Sequence, residues 1–191
     1  MDTPNAAAAP SPAMTAGDKL FVGFLVVVIA AVTWLGVLNY KEGLKTEGSK
    51  RNGEAWMAWL AEAGQHRGEA NFAHKACASG VRPNGTGTKE EPAEGTWGAC
   101  VKYLMGQTEL KDLVNPFTGK PPPFVAACVP SDRSLVGGIL LEDLAPTPPG
   151  SPVPFVASQL VDEDPIDKKI QVRISICDKG SDGVKIGEVE F

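Results

Sequence analysis

The sequence predicts an α+β protein: an N-terminal transmembrane helix that continues into a helical stem, then a small antiparallel β-sheet domain with a C-terminal hairpin. Three observations predict it. Residues 20–38, LFVGFLVVVIAAVTWLGVL, contain no charge. Trp56, Trp59, Leu60 and Ala63 recur at i, i+3, i+4 and i+7, the apolar stripe of a helix. Residues 170–177, IQVRISIC, alternate apolar and polar side chains, the period of a strand with one buried face.

As a helix the uncharged run rises roughly 28 Å, close to the hydrocarbon thickness of a bilayer. It is apolar on every face, unlike a surface helix. A buried core helix and a cleaved secretory signal are the alternatives. A signal needs a basic segment before its core, but only Lys19 stands there, beside Asp18. A retained anchor over residues 18–40 accounts best for the run, with Tyr40 placed at headgroup level. Residues 1–17 are Ala/Pro-rich without apolar period and read as a flexible or removable leader.

Residues 41–70 form the stem. Helical character continues there, interrupted by Gly43, Gly48 and Gly53, with Asn52 placed as an N-cap and Gly64 as a stop. The two tryptophans of the stripe read as core packing rather than as a stacking platform.

Residues 71–191 form the head. Residues 81–95 are a polar loop, and Thr96 is placed to cap a helix, WGACVKYLMG, with Trp97, Val101, Leu104 and Met105 on one face. TELKDLV supplies another helical turn or two before NPFTGKPPP breaks it. Strand texture begins at Phe124: FVAACV, SLVGGILLEDL and PFVASQLVD are short, apolar and punctuated by Pro or Gly. IQVRISIC, the turn DKGSDG and VKIGEVEF complete a hairpin, with Gly187 marking a bulge where the alternation changes phase.

About 150 residues follow the apolar run, enough for one compact domain. The formal net charge is −5 and Lys and Arg do not cluster, which argues against a nucleic-acid partner. With 16 prolines and 21 glycines spread along the chain, the head is loop-rich rather than disordered.

Cys77, Cys100, Cys128 and Cys177 are even in number and widely spaced, as for two disulfides in an oxidising compartment. Four cysteines permit three pairings, and spacing alone does not choose. Chain order favours Cys77 with Cys100, across one polar loop, and Cys128 with Cys177, both placed in strands. Lys41, Lys45, Lys50 and Arg51 after the span argue for a cytoplasmic head by the positive-inside rule. The cysteines argue for the opposite side and carry more weight here.

Enzyme signatures are sparse. The chain has no phosphate-cradling glycine loop, no GxSxG elbow and no HExxH, so a non-enzymatic role without a cofactor is expected. His74 and Cys77 have a zinc-ligand spacing but no second pair beside them. Asp162, Asp164 and Asp167 cluster before the last hairpin, and Asp178 and Asp182 lie in its turn as a faint echo of a calcium loop. Gly180 stands where that loop needs a ligand and Val189 where it needs a glutamate, so an ordinary turn is the plainer account.

Taken in order, a leader, an apolar helix, an amphipathic continuation, a cysteine-bearing loop and an antiparallel sheet resemble a type IV pilin-like protein, in the manner of a minor pilin or pseudopilin. NPFTG at residues 115–119 resembles a turn found in some pilin-like proteins, and Cys177 in the final strands fits as well. Leader cleavage in that family follows a glycine, making Gly17 and Gly23 the processing candidates. The resemblance implies a structural subunit in a bacterial inner membrane, single-pass, with its head periplasmic or in an extracellular filament. Its partners would be membrane lipid and other pilin-like subunits, met through residues 20–38 in a homo- or hetero-oligomer. The other expectation is an anchored binding or scaffold domain that never polymerises.

Overall fold

The structure is a computed structural model that describes residues 15–83, 87–88 and 91–191. The leader lies outside the described residues apart from residues 15–17. Contacts divide the chain after Lys41 into two units, the second being Glu42–Phe191.

Helix α1 runs Ala16–His66. Thr15 and Asp18 cap its start reciprocally: the Thr15 N–H donates to Asp18 Oδ2 at 2.9 Å, and the Asp18 N–H donates to Thr15 Oγ1 at 3.2 Å. The expected interruptions do not occur, and Asn52 and Gly64 lie inside the helix rather than at its ends. Glycine in a helix costs about 1 kcal/mol against alanine, too little to break a helix held by packing. At Gly48, Gly53 and Gly64 close approach requires it. A Cβ on Gly53 would stand 2.8 Å from Ile186 Cγ1, and one on Gly64 would stand 2.4 Å from the Glu190 carbonyl oxygen. Asn52 spends its side chain on a tertiary bond instead, donating Nδ2–H to the Val114 carbonyl at 3.0 Å.

Within the second unit, the helical stripe Trp56, Trp59, Leu60 and Ala63 is buried, as its period dictates. It packs into a core with one face of a four-stranded antiparallel sheet ordered β2-β1-β3-β4. The strands are β1 Ile139–Pro146, β2 Phe155–Gln159, β3 Gln171–Cys177 and β4 Gly183–Glu190. Ile139, Leu141, Val172, Ile174, Ile176 and Val189 fill the core side. On the other face, Arg173 pairs with Glu188 at 3.0 Å, and Lys185 reaches the same carboxylate at 2.7 Å. The hairpin shifts register where the alternation changes phase: Ile174 faces Gly187 while Ser175 faces Lys185, leaving Ile186 without a partner across the ladder.

Two strand expectations fail. FVAACV forms only a single parallel bridge, Phe124 to Ile139. Pro121, Pro122 and Pro123 remove three successive N–H donors just before it, so a ladder has nothing to start from. SLVGGILLEDL becomes strand only from Ile139, because Ser134 and Leu135 sit in the 3₁₀ turn Arg133–Leu135 and Gly137 adopts φ +72°.

Helix α2, Trp97–Gln107, starts at Thr96, whose Oγ1 accepts the Ala99 N–H. Trp97, Cys100 and Leu104 enter the core, and a 3₁₀ turn at Glu109–Asp112 follows. Phe191 closes the core. Its ring lies 5.9 Å from Trp97 and 6.3 Å from Trp59, with the Arg67 guanidinium 4.1 Å above it.

The NPFTG turn is held from within. Asn115 is fully buried, donates Nδ2–H to the Val136 carbonyl at 2.8 Å and accepts the Phe117 N–H on Oδ1 at 2.9 Å. Gly137 leaves the room for it, since a Cβ there would stand 2.3 Å from Asn115 Oδ1. Asn115→Ala orphans the Val136 carbonyl in the interior and should cost about 2–3 kcal/mol, read as a lower denaturation midpoint at unchanged m-value.

Candidate functional site

Two features distinguish the molecule, an exposed apolar helix segment and a cross-linked head. Residues 20–38 lie wholly within α1, and every one is exposed to solvent. Leu20, Phe21, Phe24 and Trp34 each leave two thirds or more of their surface uncovered. α1 contains a stretch long and apolar enough to cross a membrane once, with a mean hydropathy of 2.7 over its best window and none of that window buried. Gly17 falls in the first turn of α1 and Gly23 one and a half turns further on, both exposed.

In the head, Cys77 pairs with Cys100 and Cys128 with Cys177, with Cα separations of 4.6 and 5.3 Å. The first bond joins the 3₁₀ turn Lys75–Cys77 to α2. The second joins a loop to the end of β3, because Cys128 does not lie in a strand as expected. That loop is fastened at two further points. The Ser131 N–H donates to the Gly180 carbonyl at 3.1 Å, and Ser181 Oγ donates to the Asp132 carbonyl at 2.5 Å. Ser181 is fully buried at φ +61°, held in that conformation by its tertiary bond.

The acidic candidates contribute to turns and backbone bonds. Asp164 Oδ2 accepts the Val161 N–H at 2.7 Å, closing a turn. Asp178 Oδ1 accepts from the N–H groups of Gly180 at 2.7 Å and Asp182 at 3.0 Å, an Asx turn rather than a calcium loop. Asp162 and Asp167 serve through their carbonyls, which accept from Gly98 and Gly80. Among the described residues no three His, Cys, Asp or Glu side chains gather around a point where a metal would sit. The His74–Cys77 pairing is unavailable to zinc because Cys77 is in a disulfide. His74 is half-buried among aromatic side chains. Its ring stands edge-on to Trp59, Phe72 and Tyr103 at 5.4 to 5.6 Å, and the Tyr103 hydroxyl is 3.3 Å from Nδ1.

Spacing gave no signal for Arg67. Only 2 % of its surface is exposed, one amine donates to the Ile166 carbonyl, and Nε and Nη1 have no hydrogen-bond partner among the described residues. Burial pushes its guanidinium down to about 10, with Asp167 opposing, so it stays charged at neutral pH. The sequence cue was a lone arginine one residue past α1, in the segment read as helical stem. A groove of about 600 Å³ is lined by Trp97, Phe124, Leu160, Asp162 and Glu163, with polar and apolar surface mixed.

Fold and site together define a class: an α+β protein whose long N-terminal helix carries a candidate membrane span, with a disulfide-linked head on a four-stranded antiparallel sheet. This architecture is compatible with a pilin-like fold. The chain matches no protein-family model, no curated protein and no solved structure.

Proposed function

We propose that this chain is a structural, membrane-anchored subunit of a pilus- or pseudopilus-type filament, acting by helix packing and surface display rather than by catalysis. One observation carries the reading: residues 20–38 are uncharged, helical and exposed throughout, in a protein whose head is closed by two disulfides. In this reading the segment holds the subunit in lipid and later packs against the same segment of neighbouring subunits. Lipid and a bundle of apolar helices are similar solvents, so transfer between them costs little. The disulfides support a head on the periplasmic side of a bacterial inner membrane, or in an extracellular filament, because such bonds persist in oxidising compartments.

N-terminal sequencing of the mature protein and recovery in a sheared surface fraction test this. A start at Asp18 or Phe24 together with filament recovery is the expected result. An intact Met1 with all material left in the membrane overturns it in favour of a bitopic binding or scaffold domain. A specific observation favours that second reading. Pilin-like subunits carry a glutamate at the fifth mature position, and here that position is Val22 or Val28.

A further inference from the structure

The two edges of the sheet, β2 and β4, meet solvent differently. β4 carries Lys185, Glu188 and Glu190 and is broken by the bulge beside Gly187. Charges and bulges are how an edge strand resists the addition of another strand. β2 has neither. Residues 147–160 contain no charge, and all five residues of β2 are exposed, Phe155 by 48 % and Val156 by 54 %.

Hydrogen-bond parity shows which backbone groups this edge offers. The Thr147 N–H donates to the Pro154 carbonyl at 3.1 Å, and the Leu160 N–H donates to the Leu141 carbonyl at 3.0 Å. Even-numbered residues here therefore turn their backbone groups toward β1. By alternation, the N–H and C=O groups of Phe155, Ala157 and Gln159 point out of the sheet edge.

We propose that β2 pairs with β2 of a second copy, antiparallel across a two-fold axis, joining two sheets into one. Charge selects the occupant. Each chain has a net charge of −5, so two copies repel over most approaches, and the uncharged edge is where they meet without that penalty. A partner recognised by its charge finds nothing to read along this strand. A two-fold interface must also match itself residue by residue. With the axis at Val156, Val156 faces Val156 and Phe155 faces Ala157, apolar against apolar, and the outward groups of Phe155 and Ala157 meet as hydrogen-bonded pairs. A five-residue strand pair buries well under the roughly 1,000 Å² of a free-standing interface. The pairing therefore rests on the anchor reading: copies gathered in one membrane meet at a raised effective concentration.

The test uses the full chain in phospholipid vesicles. Non-hydrogen-bonded antiparallel pairs hold their Cα atoms about 4.5 Å apart, within disulfide reach. Val156→Cys should become a disulfide-linked dimer on mild oxidation. Ser158→Cys, which would face Pro154, should stay monomeric. Adding Ala157→Lys to the Val156→Cys variant places a charge on the edge and should lower the dimer yield at least about tenfold. Equal cross-linking at 156 and 158, or no effect of the added lysine, overturns the pairing. Flotation is read in parallel. Protein that floats with the vesicles without cross-linking overturns the pairing alone. Protein that cross-links without floating keeps the pairing and overturns the anchor, and protein that does neither overturns both.

Discussion

The double variant Val28→Arg/Ile29→Arg should leave the membrane fraction. Both residues lie at the middle of the uncharged run and both are exposed, so neither substitution disturbs a packed core. An arginine at the centre of a spanning helix costs about 2.5–3.5 kcal/mol on insertion scales, so the pair costs roughly 6 kcal/mol. That corresponds to a partition shift on the order of 10⁴-fold. The measurement is flotation with phospholipid vesicles, or retention in membranes through an alkaline carbonate wash. The head serves as the internal control: the variant should keep both disulfides and the same protease-resistant core. A variant that still floats with the vesicles would mean that residues 20–38 are not the anchor.

The next largest effect falls on the longer disulfide. Cys128→Ser/Cys177→Ala should destabilise the head by about 4 kcal/mol, because this bond closes the longer of the two loops in the unfolded chain. The two cysteines are 49 residues apart, and β1 and β2 both lie inside that loop. Alanine is the right replacement at Cys177, which is fully buried, since a serine hydroxyl there would add a desolvation cost of its own. For a domain of this size the shift is about 10 °C in the melting temperature. Breaking the bond leaves the loop attached through the Gly137 N–H to the Cys177 carbonyl and through Ser181 to Asp132, so the fold survives at low temperature. Thermal melts of the variant beside the parent in oxidised and reduced states check this. The reduced parent should fall further, since it also loses Cys77–Cys100, whose cysteines are 23 residues apart. A melting temperature unchanged within a degree or two would show that the bond adds no stability.

The local signals in this chain were legible where periodicity was long and unbroken. The alternation of IQVRISIC gave β3 and its buried face, the phase change at Gly187 gave the register shift, and Thr96 gave the start of α2. They failed where a residue had two uses. Gly53 and Gly64 read as breaks because glycine favours turns, but the sheet comes so close to α1 that no other side chain fits. Asn52 read as a cap because its side chain bonds nearby N–H groups, and it bonds a carbonyl 62 residues away instead. FVAACV read as a strand from composition, and the three prolines before it decided otherwise.

By itself the sequence determined the features that depend on neighbours along the chain. These are an uncharged helix of membrane-spanning length, a one-sided helical stripe after it, and a terminal hairpin with one apolar face. The first follows from an unbroken run of apolar residues and the other two from repeats of 3.6 and 2 residues, which fix side-chain direction without knowledge of what lies opposite. The tertiary structure decided which cysteines meet, why Asn115 and Arg67 are buried, and which sheet edge stays open and uncharged. Those depend on segments far apart in the chain arriving within a few ångströms of each other, and no local pattern encodes that distance.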